Sequence, residues 1–521
     1  MSARWLAGAA AFVALNVAPG ASHPPAAGTL PSASTGPAVA SLAATSPLPA
    51  ALPGTLPGTL PGTLPAALPG TLPAALPGTL PAALRVDDGV PSLSPLYLAA
   101  STREVRSLTA CGADAWAATR GGLERYERGS WRRRLYGVRE GLDTLDVRHV
   151  RCAGAGVEVE TATGLCRQDG DSFRCAPAAP RLPEPPPADL FRGVPVSARV
   201  DLGTGVLVGT PGEGAFWAAS SGEVRRLGPS EAPPESFVRK AFTFRGKLWL
   251  GTFNEGLYAL ETPSGGLAAG PQTLAGAKRV AAPFRMVNDA LEAGGALYVA
   301  SNEGLFVSPD GERFDRVTDV DARGVTSLAT DGSSLYATTT AALFRLPLGP
   351  RGPRRQEWWK PAGSRSLQSV VVEAGSLWLA SEDRGIIAFD GKKFRAHDKL
   401  SGLPTSWIVA LAGDGQGGVF AGTLRDGALH LGPDGRWTRL QGLPSDWSLS
   451  VARHEGLLCV GTQGGAACYD AAKARNEAGV RPLGRLAFLP DGRVHAFASV
   501  GEHLLVGTEA GLALYQRPAA P

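Results

Sequence analysis

Residues 367–397 read LQSVVVEAGSLWLASEDRGIIAFDGKKFRAH. Leu367–Val372 is an apolar, β-branched run that Glu373-Ala374-Gly375 ends with a turn. Ser376–Ser381 is a second run, three polar residues follow, and Gly385–Asp390 makes a third. Asp390-Gly391 is a strong hairpin signal, so Lys393–His397 returns as a fourth strand. The run Val370-Val371-Val372 and the glycines at 375, 385 and 391 break any helical period in the stretch. The segment reads as four short antiparallel strands joined by tight turns.

The pattern repeats in both directions from there. A strand ends in Gly or a small residue and then a hydroxyl residue, polar residues follow, and a new apolar strand begins, as in Leu248–Thr252 and Gly256-Leu257-Tyr258. The hydroxyl residues fall at Thr119, Thr161, Thr210, Thr252, Ser301, Thr339, Ser381, Thr423, Thr462 and Thr508, between 38 and 49 residues apart. Four strands per unit of this length are a β-propeller blade. The expected fold is all-β: a β-propeller over 86–517 with ten blade-like repeats, in one closed ring of about eight to ten blades, followed by a tail at 518–521. The Gly before the hydroxyl residue is expected where blades pack closely. The tenth repeat stops after its third strand, Gly511–Gln516, while Ser94–Ala100 is an apolar segment with no partner of its own. This N-terminal strand is expected to complete the last blade, which removes an open edge.

Composition narrows the function classes. The 67 Gly among 521 residues disfavour a helix-rich enzyme. With 51 basic against 47 acidic residues, no nucleic-acid surface is expected. Fifteen of the 43 Pro lie in the first 84 residues, and no charged side chain stands between Arg4 and Arg85. Met1–Arg4 is a positive start, Trp5–Val17 an apolar run, and Ala18–Ser22 a small-residue cleavage region. Residues 1–22 therefore read as a signal peptide, and the apolar run is shorter than the ~20 residues that span a bilayer. From Leu48 to Ala83 the chain is nine tandem tetrapeptides, Leu-Pro-Gly-Thr or Leu-Pro-Ala-Ala. Proline at every fourth position keeps this tract out of a helix, and 23–85 as a whole is expected to be a disordered low-complexity spacer. The protein is expected to be exported, periplasmic or extracellular, with no membrane span after signal cleavage.

The segment Gly402–Asp470 carries two copies of Gly-Leu-Pro, in GLPTSW (402–407) and GLPSDW (442–447), followed by strands ending VFAGT and LLCVGT. It resembles the two-component-regulator propeller repeat, and the resemblance extends over about 100–517. The family implies the propeller fold and an extracytoplasmic sensing role, without catalytic residues, here without a kinase part.

Chemistry beyond this is sparse. Gly413, Gly415 and Gly418 match a dinucleotide-binding spacing, but Val419–Thr423 continues as a strand where that motif needs a helix. The seven His are scattered without ligand spacing, although His430, His454, His495 and His503 belong to the last repeats. No catalytic residue, metal or cofactor is expected. Cys166 and Cys175, and Cys459 and Cys468, each flank a hairpin turn, while Cys111 and Cys152 fall at nearly matching positions of neighbouring repeats. Three disulfides are the reading, with buried free thiols as the alternative. The loops after the hydroxyl markers should gather on one face. Arg120, Asn254, Glu255, Asn302, Glu303, Asp383, Arg384, Arg425 and Asp426, with Trp407 and Trp447 entering from the same side, form the candidate ligand-binding set. The expected function is a non-enzymatic recognition module, monomeric, for a protein or an extracellular ligand such as a glycan or peptide. The alternatives are an enzyme resembling the streptogramin-lyase propellers and a purely structural envelope protein.

Overall fold

The computed structural model describes residues 89–154, 156–178, 189–227, 237–260, 277–318, 320, 324–349, 357–359 and 366–518. The segments expected to be signal peptide and spacer, 1–22 and 23–85, lie outside them. Each of the ten repeats forms one antiparallel sheet in which strands consecutive in the chain are neighbours. In the seventh the strands are Leu367–Glu373, Ser376–Ser381, Ile386–Phe389 and Phe394–His397. In the tenth they are Val494–Val500, His503–Thr508 and Gly511–Gln516, and the fourth is Tyr97–Ala99, with Leu98 opposite Ala513. The ninth sheet gains an unforeseen fifth strand, Ser92–Leu93, parallel to Gly484–Leu486.

The recurring hydroxyl has a structural task. Thr423 Oγ1 donates to the Gly427 carbonyl (2.8 Å) and accepts from the Asp426 amide (2.8 Å), tying off the loop between second and third strands. Thr119, Thr161, Thr210, Thr252, Ser301, Thr339, Thr462 and Thr508 make the same exchange. Ser381 accepts from the Asp383 and Arg384 amides and also donates to the Asp383 carboxylate (2.7 Å). All ten hydroxyl residues are at most 4% exposed, so water cannot replace these bonds.

A second device sits opposite. The pairing of the first strand with the second slips by one residue in nine of the ten sheets, leaving an extra residue that opposes nothing. The extra residues are Arg106, Arg148, Arg239, Asn288, Thr326, Gln368, Val409, Leu449 and His495. Such a β-bulge bends the strand and re-aims a side chain.

From the fourth sheet to the tenth, each first strand lies against the first strand of the next, and Val494–Val500 then packs on Val238–Phe244 of the fourth. In the remaining group, Val105–Cys111 of the first sheet packs on the first strands of both the second and the third. This differs from the expected order, in which the tenth sheet would be followed by the first. Where glycine precedes the hydroxyl marker, it makes room for a side chain of the adjoining first strand. A Cβ on Gly507 would stand 2.9 Å from Val238 Cγ1, and one on Gly209 only 2.5 Å from Val105 Cγ1. The tenth sheet is thus shaped for the fourth, and the third for the first. In the second sheet the same position is Glu160, whose bulk leaves no such recess.

The three expected disulfides are present. Cys166 and Cys175 are directly opposed on neighbouring strands, as are Cys459 and Cys468. Cys111–Cys152 fastens the first sheet to the second. Residues 413–418, the dinucleotide-like spacing, form a turn between the strands Ile408–Gly413 and Val419–Thr423. There the buried Asp414 accepts from His430 Nε2 (2.8 Å) and from the Gln416 and Gly418 amides.

Candidate binding face

The register places three positions at one end of each sheet. Val238, Leu367, Ile408 and Ser448 begin their first strands opposite the markers Thr252, Ser381, Thr423 and Thr462. The residue preceding the first strand, the bulge residue and the loop after the marker therefore share one end.

The candidate residues divide by sheet. Around the eighth and ninth sheets several come together: the Arg425 guanidinium lies 5.6 Å over the Trp447 ring, and the Leu424 amide donates to the Trp407 carbonyl. Trp407 is 40% exposed, unusual for the largest apolar side chain. Asp426 is held by its amide on Thr423, and the Gly427 amide donates to the Asp446 carbonyl. The loop of the seventh sheet joins this group, since the Gly385 amide donates to the Ser406 carbonyl. In it Asp383 accepts from Ser381, and Arg384 Nε is 3.9 Å from Asp398. Beside them burial, reinforced by the Asp383 charge and opposed by a Ser366 hydrogen bond, holds the Glu382 carboxyl above its ordinary range.

The fourth and fifth sheets carry the rest. Asn254 is exposed, Glu255 is 3.7 Å from Arg279, and Asn302 accepts from Asn288 Nδ2 (3.0 Å). Glu303 Oε2 is buried without a hydrogen-bond partner. Arg120 is not part of either group: it lies between Glu104 (3.4 Å) and Asp491 (3.7 Å) as an ion-pairing residue.

Three contributors were not assigned to this face by the sequence reading. Phe237 stacks on Phe253 with centroids 4.9 Å apart and planes 8° from parallel. His495 is tilted against Phe237 (centroids 4.7 Å apart), and Arg239 lies over Phe253 (5.8 Å). His495 Nε2 is 3.1 Å from Glu509, which Arg493 also holds (2.8 Å). Burial drives the His495 imidazole below the usual histidine range, outweighing the Glu509 bond. The available signal was positional: Phe237 precedes its first strand as Trp407 and Trp447 precede theirs, but no Gly-Leu-Pro announces it. Of the four histidines in the last repeats, His430 and His495 face separate carboxylates, Asp414 and Glu509.

Among the described residues, Asp143, Cys166 and Cys175 alone cluster at metal-ligand spacing, and the two sulfurs are bonded to each other. No helix among them is long and apolar enough to cross a membrane.

No family model matches the chain, and no curated protein matches it. Solved structures do. The extracellular domain of a one-component system from B. thetaiotaomicron aligns with 80% of this chain and 70% of its own, at 13% identity and a TM-score of 0.43. The extracellular domain of a hybrid two-component system from the same organism aligns over 83% and 76%, at 13% identity and 0.36. A computationally designed protein aligns over 82% and 99%, at 12% identity and 0.38.

Proposed function

We propose that the protein is an exported, non-enzymatic recognition module that binds a protein or extracellular ligand through the face described above. In this reading the sheets are propeller blades, the fourth to tenth forming a ring because Val494–Val500 returns to Val238–Phe244. The first three blades pack beside one another as a separate group. Three disulfides support an oxidising, extracytoplasmic location. The observation that carries the binding role is the Arg425–Trp447 pair beside the 40%-exposed Trp407. Aromatic and arginine side chains on one rim are the composition of binding hot spots. Burying such a Trp in a complex is worth more than leaving it wet.

Capture of partners from an envelope extract by the full chain tests this. Wild type should retain a partner that the Arg425→Ala/Asp426→Ala and Trp407→Ala variants lose. An identical capture profile for all three proteins would refute the assigned face.

A further inference from the structure

Four of the nine bulge residues carry a basic side chain, and three of them have an acidic partner. Arg106 pairs with Glu104 (3.1 Å) and Asp146, Arg148 is 3.7 Å from Asp146, and His495 is 3.1 Å from Glu509. Arg239 is the fourth, and it has no ion pair among the described residues. The carboxylates around it are engaged elsewhere. Asp289 is held by Lys240 (2.5 Å), Ser327 (3.0 Å) and the Leu328 amide (2.8 Å). Glu509 is shared by His495 and Arg493.

The arginine is also held in place. One face of its guanidinium lies over Phe253, which is backed by Phe237 and His495, and Nη1 touches the Met286 sulfur (3.7 Å). A thioether is a poor acceptor, so the strong donors of a fixed fork are left without a matching oxygen. Burial depresses the pKa of this guanidinium, with Asp289 only partly opposing. An unpaired, half-buried cation is costly to the fold, and an anion would relieve that cost.

We propose that Arg239 anchors a carboxylate-binding subsite between the fourth and tenth sheets, with Phe253 and Phe237 fixing the plane of its fork. A planar carboxylate takes two parallel hydrogen bonds from a guanidinium. A phosphate dianion would additionally meet the nearby Glu509 and Asp289 charges, which favours the monoanion. The inference rests on the reading of this face as the binding face, and it names the chemical class of ligand that the face takes.

Calorimetric titration of the full chain with glucuronate and with benzoate tests it, with glucose, benzyl alcohol and inorganic phosphate as comparators. Both carboxylates should bind and both neutral analogues should not. Arg239→Gln should weaken carboxylate binding about 10- to 100-fold, the range of a charge-assisted contact. Arg313→Gln, on an exposed turn, should leave it unchanged. The melting temperature of Arg239→Gln should stay level or rise, because an unpaired charge is removed. A fall of several degrees would mean that the guanidinium is structural and would overturn the assignment. So would equal binding of carboxylates by Arg239→Gln, absence of carboxylate binding by wild type, or phosphate binding as tight as that of the carboxylates. Partner capture that survives any of these failures would leave the face in place and remove only the subsite.

Discussion

Replacing Thr423 by Val isolates the hydroxyl that ties each loop to its sheet. The two side chains have nearly the same shape, so the change deletes hydrogen bonds without opening a cavity. The Gly427 carbonyl keeps two donors, the Thr423 amide (2.9 Å) and Ser448 Oγ (3.0 Å). The Asp426 amide, by contrast, loses its acceptor. One lost bond costs about 1 kcal/mol and one orphaned, partly buried donor a similar amount, giving about 2 kcal/mol. For a cooperative unit of ~430 residues, with an unfolding entropy near 2 cal/mol/K per residue, that is a melting shift of only about 2 °C. Urea unfolding followed by tryptophan fluorescence is the better assay, because the free energy is read directly. Hydrogen exchange should accelerate at Asp426, and the Arg425–Trp447 contact should weaken with it. Thr423→Ser should restore both. A loss under 0.3 kcal/mol, or equal damage from Ser and Val, would refute the account of why every repeat keeps a hydroxyl there.

Other perturbations probe the frame. Leu98, 5% exposed among Phe497, Leu504 and Tyr515, should cost about 2–5 kcal/mol when cut to Ala, and an effect below 0.5 would argue against the N-terminal strand as part of the last sheet. Removing Cys111–Cys152, which closes 41 residues, should cost about 4 kcal/mol against about 2.5 for Cys459–Cys468, which closes nine; the reverse order in paired Ala variants would contradict the loop-closure account. Burial raises the Asp414 carboxyl, but hydrogen bonds from His430 and two amides prevail and hold it below its ordinary range. Its contribution is therefore present above about pH 4 and is lost as pH falls through the lower folded value. Asp414→Asn should flatten the acid side of a stability–pH profile, and superimposable slopes would show the carboxylate has no such role.

Legibility followed the physics of each feature. Four-strand units were readable because turns such as Asp390-Gly391 and glycines such as Gly251 are local demands on the backbone. The closing strand was readable because Gly511–Gln516 lacked a partner and Ser94–Ala100 lacked a sheet. The order of sheets was not, since it depends on packing between strands distant in the chain, such as Val238 against Gly507, more than 250 residues apart. The tryptophans were found because Gly-Leu-Pro flags them. Phe237 was missed because no Gly-Leu-Pro precedes it, and Arg239 because a bulge is a slip between two strands that neither strand alone records.

The slipped residue has one further consequence. Its flanking positions are set by packing, and the starting residue is Val, Leu, Ile or Ser in all nine sheets. The slipped residue itself is Arg, Asn, Thr, Gln, Val, Leu or His, because pairing makes no claim on it. The frame thus holds nine addresses where strand pairing sets no residue type, although some also tie sheet to sheet, as Asn288 does at the Val325 carbonyl (2.8 Å) and Thr326 at the Leu367 carbonyl (2.9 Å). A side chain exchanged at an address free of such ties changes the surface at that end of the sheet and leaves the ladder of paired strands as it was.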